Sequence, residues 1–320
     1  MRLSSIVRTA PRFLMCRPTF YDVTYSINPW MSMTTPVNKQ RAMNQWETLR
    51  ETIIDAGGKV DVMEPDGGKD LPDLVFVANA AIVRGKKAFL ANFSHQERKG
   101  ETPLNKKWFE SQGYETFFDA NNVFEGAGDA LFAGKDLRFL FCGCGPRSTT
   151  TALPKVLTMH EMAAYCFLFI RRLQLAIFCF AAALSTENDK IKAIACRLVS
   201  QRFYHIDVAF CPLNEDIALW YPAAFDDVAQ HNMGDVIKKL IAVPDDEAAH
   251  FACNAVVVNK TVILNKNNPK TATGSIYSFP NAMDIMKNLL KDAGFQVKKI
   301  DMSEFLKSGG SAKCCTLKLE

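Results

Sequence analysis

The chain has 320 residues, 48% of them hydrophobic, enough to bury one large core or two ordinary ones. Its 38 basic and 34 acidic residues leave a net charge of +4, spread along the chain, which excludes the basic stripe of a nucleic-acid footprint and leaves small charged ligands open. Ten cysteines occur without a CxxC pair, and the one close spacing, Cys142-Gly-Cys144, has no second ligand pair nearby. Structural zinc is therefore not expected, whereas reduced thiols in an intracellular compartment are.

The first seventeen residues, MRLSSIVRTAPRFLMCR, hold four arginines, two serines and no acid. That is the composition of a mitochondrial transit peptide, or of a frayed terminus leading into a strand over 13–16; cytoplasmic and mitochondrial locations both stay open. Next, Met43, Trp46, Leu49 and Ile53 recur at helical spacing, and the segment Asp55-AGGKVDVM-63 ends that helix at a glycine turn and begins a strand. The same exit recurs at 111–118 and 292–300. Thr102-Pro103 is the expected start of the middle helix, and Ile285, Met286, Leu289 and Leu290 form the apolar stripe of the last.

Strand pairs are expected at 73–83 with 87–93, 130–134 with 137–144, 205–213 with 216–221, and 251–258 with 261–265. With strands inside 13–24 and 314–319, the chain reads as α/β: five modules of strand pair, helix and strand, the last closing beside the first. One domain over 13–320 follows an extension at 1–12. An atypical apolar insert at about 157–194 interrupts it. Within that insert, 161–184 is long enough to span a bilayer, but Arg171 and Arg172 at its centre would each oppose insertion by roughly 2.5–3.5 kcal/mol, so no stable membrane span is expected. A homo-oligomer is compatible with the sequence.

A ring of modules brings residues at equivalent module positions to a shared mouth. In FEGAGDALF (124–132) the glycines allow close approach of a ligand, and Glu125 and Asp129 offer carboxylates that fit a guanidinium. The segment 204–210 puts His205 and Asp207 on the same side of a strand, since side chains alternate with a period of two, and the Asp would polarise the imidazole. Gly309 and Gly310 precede Cys314 and Cys315, which read either as two small buried hydrophobes or as thiols at a strand's mouth. A thiol, an imidazole and carboxylates together suit attack on a guanidinium carbon without a metal or organic cofactor.

The segments 15–31 (MCRPTFYDVTYSINPWM), 72–81 (PDLVFVANAA), 124–129 (FEGAGD), 204–207 (YHID), 244–254 (PDDEAAHFACN) and 309–315 (GGSAKCC), in this order, resemble the arginine-modifying, or pentein, superfamily. Its members include arginine deiminase, dimethylarginine dimethylaminohydrolase, arginine dihydrolase and the amidinotransferases. The resemblance implies a five-module α/β propeller with a central active site, Cys314 as nucleophile with Cys315 pointing away, and His205 as general acid and base. It also implies that Asp207 and Glu125 engage the substrate or the imidazole, with Arg98 and Arg147 as carboxylate binders. Asn79, where deiminases have Asp, and Asn28 look dihydrolase-like. FEGAGD has one residue more than the family's common EGGD, which leaves open whether Glu125 or Asp129 faces the substrate. The implied function is hydrolysis of arginine or N-methylated arginine through a covalent Cys-amidino intermediate, giving citrulline or ornithine. The alternatives are transfer of the amidino group to an acceptor amine and, from another class, a non-catalytic propeller that binds a macromolecule.

Overall fold

The computed structural model describes residues 9–149, 191–266 and 282–319. Its strands form five three-stranded sheets, each an antiparallel pair with a third strand added in parallel. The first joins Arg12–Cys16 to Leu317–Lys318 antiparallel and to Lys59–Met63 in parallel, so the last strand of the chain completes the sheet begun by the first. In the others the middle strand carries both partners: Lys87–Leu90 lies between Ala81–Arg84 and Glu115–Phe117, Phe139–Cys144 between Ala130–Ala133 and Lys192–Arg197, Ile217–Trp220 between Phe210–Pro212 and Lys239–Ala242, and Thr261–Asn265 between Val256–Val258 and Gln296–Ile300. A parallel neighbour requires a crossover, and helices supply it. Lys39–Asp55 precedes the first parallel strand, Glu101–Ser111 the second, Asp227–Val236 the fourth and Ala282–Asp292 the fifth.

The helices form where the sequence places them. Lys39–Asp55 starts on Asn38, whose side chain accepts from Arg41 N, and buries Trp46, Leu49 and Ile53 completely. Three of the helices end at glycines in the left-handed region, Gly57 (φ 89°), Gly113 (74°) and Gly294 (85°), which a side chain would strain. Two details differ from the sequence reading. Thr102 lies inside the second helix, which begins at Glu101, and its hydroxyl donates to Ala91 O. Leu289 is 36% exposed, whereas Met286 and Leu290 are buried.

The larger correction concerns the start of three strand pairs and of the last strand, whereas the pair beginning at Ala130 starts where expected. The expected strand over 73–83 begins at Ala81, preceded by 3-10 turns at Pro72–Val75 and Val77–Asn79. Likewise 205–213 is a 3-10 turn at Ile206–Val208 and a strand only from Phe210, 251–258 is extended only from Val256, and 314–319 only over Leu317–Lys318. These stretches are buried on every side, so they carry no alternation from which extended backbone could be told from a tight turn.

Those turns tie the modules together. Ala78 N donates to Cys314 O (3.1 Å), Asn79 Nδ2 to Glu125 O (3.2 Å), and Ile206 N to Asp129 Oδ1 (3.1 Å). Asn254 Nδ2 donates to Asp207 O (3.2 Å), and Cys314 N to Asn254 Oδ1 (3.1 Å). The bonds run from the second module's head through the third, fourth and fifth and back to the residue that precedes the last strand.

Among the described residues no helix is long and apolar enough to cross a membrane. The transit-like residues 1–8 and the apolar stretch 161–184 lie outside the described residues, as does 157–190 of the expected insert. Its last residues belong to the third sheet, since Lys192–Arg197 pairs in parallel with Phe139–Cys144.

Candidate active site

Polar side chains from the turns at Pro72–Val75 and Val77–Asn79, together with others from neighbouring loops, line a small cavity. Its walls include Asn28, Asp73, Asn79, Arg98, Arg147 and Tyr204, with Cys314 at one side. The approach of the turns depends on missing side chains. A Cβ on Gly128 would lie 2.2 Å from Asn79 Nδ2 and 3.4 Å from the His205 ring, and one on Gly310 would lie 2.4 Å from the Phe76 ring.

Cys314 is 2% exposed. Its Sγ accepts from Asn254 Nδ2 at 3.0 Å and donates to Asp207 Oδ2 at 3.6 Å. Burial and the Asp207 carboxylate both push its thiol up, so it is neutral in the free protein. Cys315 is fully buried in the hydrophobic core.

His205 faces away from Asp207. One ring nitrogen, Nε2, lies 2.8 Å from Glu125 Oε2, and the other, Nδ1, is buried without a hydrogen-bond partner among the described residues. The alternation that would have paired His205 with Asp207 fails because Ile206–Val208 is a 3-10 turn, which sends the two side chains to different partners. Burial pushes the imidazole down to about 4 against the pull of Glu125, so it is a neutral base.

Glu125 is the hub of the buried charges. Oε1 accepts from Ser94 N (3.1 Å) and Ser94 Oγ (2.6 Å), and Oε2 accepts from Arg147 Nη1 (3.1 Å). Burial opposes its charge, but Arg147 and His205 outweigh burial and hold the carboxyl well below the usual carboxylate range. Asp129 has a different task. Its Oδ2 accepts from Ser148 Oγ at 2.6 Å and its Oδ1 from Ile206 N, which braces the turn that carries His205. Neither acid of FEGAGD lines the cavity; Asp73 does. Asp73 Oδ2 accepts from Tyr25 at 2.9 Å, and its Oδ1 has no partner among the described residues.

The two arginines differ in what they have to spare. Arg98 donates twice to Glu101 (2.7 and 2.9 Å), to Asn79 Oδ1 (3.0 Å) and to Asp73 O (3.3 Å), which uses four of its five N–H groups. Arg147 donates to Glu125 and to Ile27 O (2.9 Å) and lies over the Tyr204 ring. Asn79 is held at both ends of its amide, by Arg98 and by Glu125 O. Asn28 donates to Ser308 O and accepts from Trp30 N, fixing the loop before the cysteines.

Asp73, Asn254 and Ser94 were not singled out from sequence. Asn254 had a readable signal, because it stands just ahead of its strand pair as Asn79 does, and Asp73 and Asn254 both fall in segments that carry the resemblance. Nothing near Ser94 distinguishes it from an ordinary loop serine.

The buried Asp207 yields a pH prediction. Burial raises its pKa from 3.8 to about 6, so its contribution to stability is full below 3.8 and is lost as pH rises through 6. His205, lowered from 6.5 to about 4, contributes in the opposite sense: its stability is present above 6.5 and lost as pH falls through 4. Asp207→Asn removes the first cost, so the variant gains relative to the wild type between pH 4 and pH 8, by up to about 3 kcal/mol for a shift of two units. Urea unfolding at the two pH values measures this; an equal difference at both would show that Asp207 carries no buried charge.

Comparison with known proteins fits this geometry. Residues 21–320 match the family described as N,N dimethylarginine dimethylhydrolase, eukaryotic. The N(G),N(G)-dimethylarginine dimethylaminohydrolase of Mycobacterium tuberculosis is 34% identical over 99% of this chain and 90% of its own. The bifunctional arginine dihydrolase/ornithine cyclodeaminase ArgZ of Synechocystis sp. is 38% identical over 96% of this chain, which spans only 37% of that longer protein. A crystal structure of a variant of the ArgZ N-terminal domain, covalently bound to a reaction intermediate, has a TM-score of 0.79 and 36% identity, covering 97% of this chain and 98% of that one. An α/β chain of five like sheets, carrying a buried thiol and a Glu-held imidazole, and matched along nearly its whole length, belongs to the dimethylarginine dimethylaminohydrolase family of the pentein fold.

Proposed function

We propose that this protein is a cofactor-independent hydrolase of guanidino compounds, arginine or N-methylated arginine, working through a covalent Cys314-amidino intermediate. The observation that carries the reading is a neutral Cys314 thiol lining a cavity that also contains an unsatisfied carboxyl oxygen of Asp73, with the neutral His205 imidazole held behind the wall on Glu125, the partner of the lining Arg147. A guanidinium entering there gives Asp73 its missing donors, and its positive charge favours the thiolate that Asp207 and burial disfavour.

Cys314 Sγ attacks the guanidinium carbon, and its proton passes to the His205 nitrogen that Glu125 does not hold. The imidazolium, stabilised by Glu125, returns that proton to the departing amine, which leaves as ammonia from arginine or dimethylamine from dimethylarginine. Water then adds to the S-alkyl thiouronium carbon with His205 as base, and the C–S bond breaks to give citrulline and free Cys314. A second round on the neutral ureido group gives ornithine, ammonia and carbon dioxide; Asn79, an amide rather than a fixed negative charge, suits retention of that neutral intermediate. Arg147, with three N–H groups to spare, takes the amino-acid carboxylate, while Arg98 with one acts mainly as the clamp on Asn79 and Glu101.

In this reading residues 13–320 form one catalytic domain, a five-module propeller preceded by 1–12. The bonds linking each module head to the next support that arrangement. The partner is a small guanidino molecule rather than nucleic acid or membrane, and the location is intracellular, cytoplasmic or mitochondrial.

Two measurements test the function. Incubation with arginine or dimethylarginine, with and without glycine, should give citrulline or ornithine in water alone, and agmatine, if accepted, N-carbamoylputrescine and ammonia; product formed only with the acceptor amine would make the protein an amidinotransferase. Alkylation compares 2-chloroacetamidine with its neutral analogue 2-chloroacetamide. The cation should label Cys314 at least roughly tenfold faster and be slowed by arginine, because a positive charge within about 4 Å of the sulfur is worth on the order of several kcal/mol to the thiolate at an effective dielectric of 20. Equal rates would contradict activation by the substrate's charge.

A further inference from the structure

A second cavity lies apart from the one that meets Cys314, and strands of all five sheets wall it. With about 250 Å³ of room it is the larger of the two, and its sides are apolar, among them Ile82, Leu131, Phe210, Val256 and Leu317. The strands run from the active-site turns toward their far ends, so the cavity extends from Lys313, next to Cys314, to a mouth near Arg84 and Lys318. All three charged residues that line it are cationic, and no acid lines it among the described residues. Arg84 is anchored at the mouth, bonded to Leu137 O and stacked on Phe132. Lys313 differs: its Nζ is buried and has no hydrogen-bond partner among the described residues. A buried ammonium without an acceptor is costly, and an apolar cavity whose only charges are positive complements an amphipathic anion.

We propose that this cavity binds a linear medium-chain carboxylate, with its carboxylate on Lys313 Nζ and its alkyl chain along the inner strands. The site has a route to the chemistry. Lys313 N donates to Asn254 O, and the Lys313 charge favours the ionised forms of both Asp207 and Cys314. A carboxylate that neutralises Lys313 therefore opposes thiolate formation and slows turnover without entering the substrate cavity. This second effect rests on the guanidino-hydrolase reading, but binding itself does not.

Calorimetric titration of the full chain with sodium hexanoate, octanoate and decanoate, and with decanol, tests the site. Affinity should rise roughly threefold to fourfold per methylene until the cavity is filled. Decanoate should bind once per chain, at least roughly tenfold tighter than decanol, since a charge pair in an apolar site outweighs a neutral hydrogen bond. Saturating arginine should not displace it. Lys313→Met should remove the preference for decanoate over decanol, and the chain-length series on the wild type stands even if that variant does not fold. No saturable binding, equal affinity for decanol, or displacement by arginine would overturn the site. With arginine as substrate, decanoate should lower kcat and leave KM unchanged. Binding without loss of kcat would overturn the coupling through Lys313 alone, and a protein that binds decanoate but turns over no guanidino compound would overturn the hydrolase reading and leave the site standing.

Discussion

Cys314→Ser should lower product formation by at least about a thousandfold, the scale of loss when a covalent nucleophile is removed, while leaving substrate binding nearly intact. A serine hydroxyl fits the space, but its pKa is far above that of a thiol, and the neutral His205 cannot generate an alkoxide. The neighbouring Cys315→Ser should behave in the opposite way. Cys315 is fully buried in the core, so a hydroxyl there needs a partner that the core does not offer and costs about 1–3 kcal/mol of stability, with kcat retained in the folded fraction. Thermal unfolding and arginine turnover of both variants separate the two thiols. Loss of turnover in Cys315→Ser alone would reassign the nucleophile.

Glu125→Gln should have the largest combined effect on stability and rate. Glu125 holds Arg147 and His205 with both its oxygens buried, and removing one partner of a buried ion pair costs on the order of 3–5 kcal/mol, because the other charge stays in a dry site. The amide keeps the shape and the bonds from Ser94, so the lower end of that range is expected. In the proposed mechanism Glu125 also raises the basicity of His205, and without it the imidazolium that must carry the thiol's proton is disfavoured. Turnover should fall by roughly a hundredfold, with the loss concentrated in kcat. A variant with normal stability and normal kcat would mean that the carboxylate is protonated in the wild type and supports neither neighbour.

The order of the five sheets was legible because its signals recur: an apolar stripe in two helices, a glycine exit such as Ala56-Gly57-Gly58 after three, and β-rich pairs with short polar turns. The site was legible only in outline. Glu125 and His205 come together, yet Asp207 meets Cys314 Sγ instead of the imidazole, because the turn at Ile206–Val208 leaves no mark in a fully buried stretch. Asp129 could not be separated from Glu125 as a carboxylate, since what distinguishes them is which neighbour reaches each one, Ser148 and Ile206 for the first and Arg147 and His205 for the second. Arg98 and Arg147 posed the converse difficulty. Surface exposure is the common fate of arginine, and only the partners Glu101 and Glu125 explain why both are buried here.

The claim on which the rest depends is that the Cys314 sulfur bonds to the substrate's guanidinium carbon. Acid quenching of the enzyme during arginine turnover, followed by peptide mass spectrometry, tests it directly. A species in which the Cys314 peptide carries arginine less ammonia, absent from Cys314→Ser and lost on a chase with buffer at the rate of product release, is the expected result. Steady turnover with no modified Cys314 peptide, or an adduct on another residue, would contradict it.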